Sequence, residues 1–120
     1  MSDLTFTVEA SPSGQCVLDV TGDLDLHTAH RLQHTLDGLA FAGGLVIDLS
    51  GVTYCDSTGL TALVGAYRRT QAEHTGFALC GTSQELTRIF QIVGIDQIVA
   101  MYDTADQASQ ALRDAAGRAR

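Results

Sequence analysis

What most constrains this chain is a hydrophobic period that switches back and forth along its length. Leu45-Val46-Ile47-Asp48-Leu49 is a short, branched apolar run of the sort that fills the middle of a sheet. Leu60, Leu63, Val64 and Tyr67 then recur at the i, i+3, i+4, i+7 spacing of one helix face. Phe77-Ala78-Leu79-Cys80 returns to the buried-strand pattern. Leu86, Ile89, Phe90 and Val93 return to the helical one, on one face. Strands separated by helices in this way fold as parallel neighbours joined by right-handed crossovers.

The flanks complete the pattern. Leu4-Thr5-Phe6-Thr7-Val8 alternates apolar and polar residues, Ser11-Pro12-Ser13-Gly14 is a turn signal, and Cys16-Val17-Leu18-Asp19-Val20 follows. These two strands are expected to form an antiparallel hairpin, ended by Gly22, which opens an acidic loop at Asp23-Leu24-Asp25. Leu32, Leu36 and Leu39 mark a helix from about Thr28, stopped by Gly43-Gly44. Gly76 is expected to close the second helix. Thr82 with Glu85 reads as a capping box and Gly94 as a C-cap for the third. Ile98 to Tyr102 reads as a last strand. Thr104 with Gln107 caps a final helix with Ala108, Ala111, Leu112 and Ala115 inward, where Arg118 and Arg120 complement its negative end. The predicted fold is α/β: one domain over residues 1–120, core about 4–115, with a mixed, mostly parallel sheet, an N-terminal β-hairpin and about four helices.

Hydrophobic residues form 45% of the 120 residues, enough for a core that needs no disulfide or metal. Seven basic residues, all arginine, face fourteen acidic ones, for a net charge of −7. No basic stripe is present to neutralise phosphates, so neither nucleic acid nor an anionic membrane is an expected partner. A basic protein surface suits such a chain better. Cys16, Cys55 and Cys80 lack CxxC spacing and read as free thiols in a reducing compartment. Met1-Ser2-Asp3-Leu4 lacks a basic n-region, and the longest nearly apolar run, Leu39 to Ile47, is broken by glycines and falls short of a membrane span. The expected location is the cytoplasm.

The informative stretch runs from Val46 to Leu60. A buried strand leads through a short loop into Asp56-Ser57-Thr58-Gly59, which opens a helix. The first N–H groups of a helix lack partners and its dipole is positive there. Asp56 is a good N-cap, Ser57 falls on the first turn with its hydroxyl outward, and Gly59 is read as leaving room for a partner's backbone. Alone, the tetrapeptide is an ordinary helix start.

Its context changes that. Asp56-Ser57-Thr58-Gly59-Leu60 after Asp48-Leu49-Ser50-Gly51-Val52 resembles the signature of STAS-domain anti-sigma factor antagonists. Thr21-Gly22-Asp23-Leu24-Asp25 with Thr28-Ala29 is similar to that family's earlier loop, and Leu86-Thr87-Arg88-Ile89-Phe90 with Gly94-Ile95 to its third helix. The likeness spans about Leu4 to Ala115. It implies that Ser57 is phosphorylated by a partner kinase, an anti-sigma factor with a histidine-kinase-like ATPase fold. The unphosphorylated form binds that factor and frees the sigma factor, and a PP2C-type phosphatase resets the switch. Asp23, Asp25, Asp56, Thr58 and Gly59 are then expected to shape the partner-binding surface. Two departures stand out: Cys55, where members often carry Met or another larger apolar residue, and Thr61, in place of a frequent glycine.

Other chemistry is less well supported. Gly59 gives half of a G-x-S-x-G elbow, but Cys55 stands where the first glycine belongs. His27, His30 and His34, with Asp23 and Asp25, read as a solvated face and turn chemistry rather than as a metal site or an acid–base pair. Cys55 beside the switch raises a redox role, opposed by Asp56 next to it. The expectation is therefore a binding switch without cofactor and not an enzyme. The alternatives are a STAS subunit serving a transporter or a stress-signalling complex without phosphorylation, and a small-ligand sensor.

Overall fold

The computed structural model describes residues 3–12 and 14–118. Its elements are β1 (Thr5–Ala10), β2 (Cys16–Leu24), α1 (Ala29–Asp37), β3 (Leu45–Cys55), α2 (Ser57–Ala72), β4 (Phe77–Cys80), α3 (Gln84–Val93), β5 (Ala100–Tyr102) and α4 (Ala105–Arg118). A single 3-10 turn, Ile95–Gln97, precedes β5. Ser13 of the predicted turn and Arg120 lie outside the described residues, as does the side chain of Arg118.

The strands lie in the order β1-β2-β3-β4-β5. β1 and β2 pair antiparallel, Phe6 opposite Val20, and every later pairing is parallel. This is the predicted mixed sheet. The central strands read as continuous apolar runs because both of their faces are covered. Leu18, Val20, Leu45, Ile47, Leu49 and Leu79 meet Leu32, Leu36, Leu63 and Phe90 of α1, α2 and α3 on one face. Val17, Val46, Ala78 and Cys80 meet Ala108 and Leu112 of α4 on the other. Each fully buried leucine of the larger core contributes about 2 kcal/mol.

Several boundaries differ from the sequence reading. Gly22 does not end β2. It sits at a register shift with φ +113°, and a Cβ there would lie 1.9 Å from the Asp3 carbonyl oxygen, so the strand passes beneath the N-terminal segment. Asp23 and Leu24 are therefore strand residues. β3 continues to Cys55 without an intervening loop, because Gly51 to Cys55 pair with Thr21 to Leu24. α1 stops at Gly38, ahead of Leu39 and the Gly43-Gly44 pair. α2 ends at Ala72, before Gly76. Ser83, not Thr82, caps α3 by accepting the Leu86 N–H at 3.1 Å. Gly94 closes α3 at φ +85°, a 3-10 turn over Ile95–Gln97 follows, and β5 begins at Ala100 rather than Ile98. Gln107 N–H donates to Thr104 Oγ1 at 3.1 Å, as the capping pattern predicts.

Candidate functional site

The site forms where β3 meets α2 with one residue between them. Asp56 is extended (φ −97°, ψ −173°), and its Oδ1 accepts the Gly59 N–H at 3.0 Å, which caps α2. Its Oδ2 accepts the Leu26 N–H, also at 3.0 Å, and its own N–H donates to the Leu24 carbonyl. One carboxylate thus fastens the helix start to the loop after β2. The Gly59 N–H lowers the Asp56 pKa most. Partial burial opposes this, and the Leu26 and Thr58 N–H groups and the neighbouring His27 add to the lowering. Asp56 is held as the anion.

The loop is built with equal economy. Asp25 Oδ1 accepts the His27 N–H at 2.9 Å and the Thr28 hydroxyl at 3.2 Å. That hydroxyl also donates to the Asp23 carbonyl at 2.7 Å. Asp23 Oδ1 accepts the Thr53 hydroxyl at 2.9 Å, across the pair that sets Asp23 beside Tyr54. Asp23, Asp25 and Asp56 are therefore brought to one end of the sheet, where the Asp25 and Asp56 carboxylates hold backbone N–H groups and that of Asp23 holds the Thr53 hydroxyl. His27, His30 and His34 are exposed, and they do not join these carboxylates in a metal-sized cluster among the described residues.

Ser57 is exposed on the first turn of α2, where the helix dipole is positive. Thr58 beside it is half-buried, and the Thr61 hydroxyl donates back to the Ser57 carbonyl at 3.0 Å. Gly59 corrects the sequence reading. It is buried, and a Cβ there would lie 2.2 Å from the Leu24 carbonyl oxygen and 2.8 Å from Cys55 Sγ. The close approach belongs to this chain's own β2, so Gly59 positions the helix start and leaves no gap for a partner. Burial first, and Asp56 second, push the Cys55 thiol up to about 12, which keeps it protonated and unreactive.

Sequence reasoning missed an apolar rim. Leu26 is 67% exposed, Tyr54 55%, and Ile92 and Val93 of α3 76% and 54%. An open groove of about 500 Å³ carries Ser57 at its edge and is lined by Leu60, Val64 and Val93. A smaller hollow of about 190 Å³ lies on another side, between Tyr54, Cys55, Leu86 and Ile89. The available signal was the apolar width of α3. Leu86 and Phe90 are buried, whereas Ile89 and Val93, read as part of the same helix face, are exposed with Ile92.

An exposed serine thus follows the carboxylate cap of α2, beside a groove lined by Leu60, Val64 and Val93. The family model described as "STAS domain" matches residues 6–108, which include every site residue above. The chain belongs to the STAS domain family. This STAS domain is 37% identical over 82 residues to the anti-sigma-B factor antagonist of Listeria monocytogenes, covering 67% of this chain and 72% of that protein. It is 34% identical over 83 residues to the anti-sigma-B factor antagonist of Bacillus subtilis, covering 68% and 76%. Its backbone matches the crystal structure of an anti-sigma factor antagonist from Mycobacterium paratuberculosis with a TM-score of 0.78 and 29% identity, over 92% of this chain and 95% of that one. These relatives are regulatory proteins rather than enzymes. No helix among the described residues is long and apolar enough to cross a membrane.

Proposed function

We propose that this STAS domain is an anti-sigma factor antagonist controlled by phosphorylation of Ser57. The unphosphorylated protein binds an anti-sigma factor with a histidine-kinase-like ATPase fold and so releases the sigma factor. That anti-sigma factor, acting as a serine kinase, transfers the γ-phosphoryl group of ATP to Ser57 Oγ: the O–P bond forms, ADP leaves and the hydroxyl proton is released. The catalytic machinery belongs to the partner, and this chain supplies the acceptor. A PP2C-type phosphatase hydrolyses the phosphoserine. Sigma factors act on RNA polymerase, so the reading places the protein in the cytoplasm.

The observation that carries the reading is the exposed Ser57 hydroxyl at the edge of an apolar groove, next to a carboxylate held ionised. A phosphate adds about −1.5 to −2 charges there. Within the domain the α2 dipole offsets part of this, and the phosphate stays in water, so the fold persists. In a complex it must be desolvated against a surface shaped for a hydroxyl and repelled by Asp56, so the loss falls on the interface. Asp23, Asp25 and Thr58 support the surface by fixing the loop and helix turn on which Leu26 and Ser57 are displayed.

The test is intact mass after incubation with the anti-sigma kinase and ATP, for wild type and Ser57→Ala. One phosphate on wild type and none on the variant is the expected result, with Ser57→Asp losing binding and Ser57→Ala retaining it. Phosphate on neither, with stable binding, leaves a constitutive antagonist and removes the switch. Neither phosphate nor binding removes the antagonist reading.

A further inference from the structure

The groove beside Ser57 has a second end. It follows the outer stripe of α2 from Ser57 to Arg68, about three turns or roughly 16 Å along the axis. Two residues at the far end have no internal work to do. Gly65 lies mid-helix, where glycine is disfavoured relative to alanine. Yet a Cβ there would meet nothing closer than Gln33 Nε2 at 3.5 Å, an ordinary contact and the opposite of Gly59. Arg68 is exposed and makes no ion pair or hydrogen bond among the described residues, whereas Arg31 pairs with Asp3 and Arg69 with Asp37. The Arg68 guanidinium is a positive charge at the end of an apolar groove, on a chain of net charge −7.

We propose that this end of the groove docks an apolar segment of the anti-sigma factor that carries a carboxylate, with an apolar side chain lying over Gly65 and the carboxylate on Arg68. The inference rests on the antagonist reading and adds the chemistry of the partner segment. The planar guanidinium fork fits a carboxylate in two parallel hydrogen bonds. A partner bearing a basic residue at the same place is repelled, so Arg68 selects among related anti-sigma factors. Ser57 sets whether the partner binds, and Arg68 sets which one does.

The test is calorimetric binding of the unphosphorylated protein to the same anti-sigma kinase, for wild type, Arg68→Glu and Gly65→Leu. Each variant is expected to bind about tenfold more weakly. Thermal melting should not fall with either variant and should rise with Gly65→Leu, which removes a mid-helix glycine, and the Arg68→Glu loss should shrink at high salt as the charges are screened. Wild-type binding with both variants unaffected overturns the docking subsite and leaves the switch reading intact. A loss with Gly65→Leu alone overturns the carboxylate assignment, and a loss with Arg68→Glu alone overturns the apolar segment. Wild type that does not bind the kinase overturns both readings together.

Discussion

The two strand-to-helix junctions β3–α2 and β4–α3 begin with the same device and end with different capacities. At each, an extended residue follows a parallel strand, and its side-chain oxygen accepts the N–H three positions on: Asp56 from Gly59 at 3.0 Å, Ser83 from Leu86 at 3.1 Å. The Ser83 hydroxyl serves α3 alone. Asp56 has a second oxygen, which holds the Leu26 N–H, and its own N–H reaches Leu24. The third helical residue differs as well. Leu86 fills the core, whereas Gly59 lies against the Leu24 carbonyl. A common cap becomes a candidate switch once it ties two segments together and leaves the residue after it in solvent.

The comparison breaks most sharply at those third residues. Gly59→Ala puts a methyl group 2.2 Å from a backbone oxygen that has little room to retreat. The expected loss is about 3 kcal/mol in urea unfolding followed by circular dichroism, with Ser57 displaced and its phosphorylation slowed. Leu86→Ala fails in the opposite way, by leaving a cavity, and costs about 2–3 kcal/mol. It should leave the phosphorylation rate of the folded protein unchanged. Equal slowing by both variants would show that the α2 start has no special standing.

A smaller effect separates the caps themselves. Ser83→Ala should cost about 1 kcal/mol and leave the site loop protected. Asp56→Ala should cost more, because it releases two N–H groups on separate segments. Its distinguishing mark is faster hydrogen exchange at the Leu26 amide, thirty residues away in sequence. Unchanged exchange at Leu26 would mean that Asp56 acts on α2 only.

The helix start and its serine were legible because capping chemistry is local: Asp56, Ser57 and the apolar positions after them specify the turn by themselves. The purpose of Gly59 was not legible, since φ freedom, partner approach and internal crowding all call for glycine, and only the arrival of Leu24 decides among them. Ser50-Gly51-Val52-Thr53 reads as a loop for a related reason. Its turn-like composition is overridden by pairing with β2, where Gly51 lies against Thr21. The rim was hidden by periodicity. A helical repeat at Leu86, Ile89, Phe90 and Val93 shows that a face is apolar without showing that the fold covers only Leu86 and Phe90 of it.

Protonation offers the finest distinction between the two caps. The Asp56 pKa is lowered in the folded protein, chiefly by the Gly59 N–H. A carboxyl whose folded pKa lies below its unfolded value of about 3.9 stabilises the fold above that pH, and the contribution fades as the pH falls through the folded pKa. Ser83 does not titrate, so α3 keeps its cap throughout. Asp19, whose pKa is raised by burial and by Asp48 and Glu9, works in the opposite sense and belongs to neither junction. Subtracting the profile of Asp56→Asn from that of wild type removes it. The difference should be largest above about pH 4 and shrink toward zero in stronger acid, while the same subtraction for Ser83→Ala should be flat. A flat difference for Asp56→Asn would mean that its carboxylate gains nothing from the two N–H groups, and the contrast between the junctions would then rest on Gly59 alone.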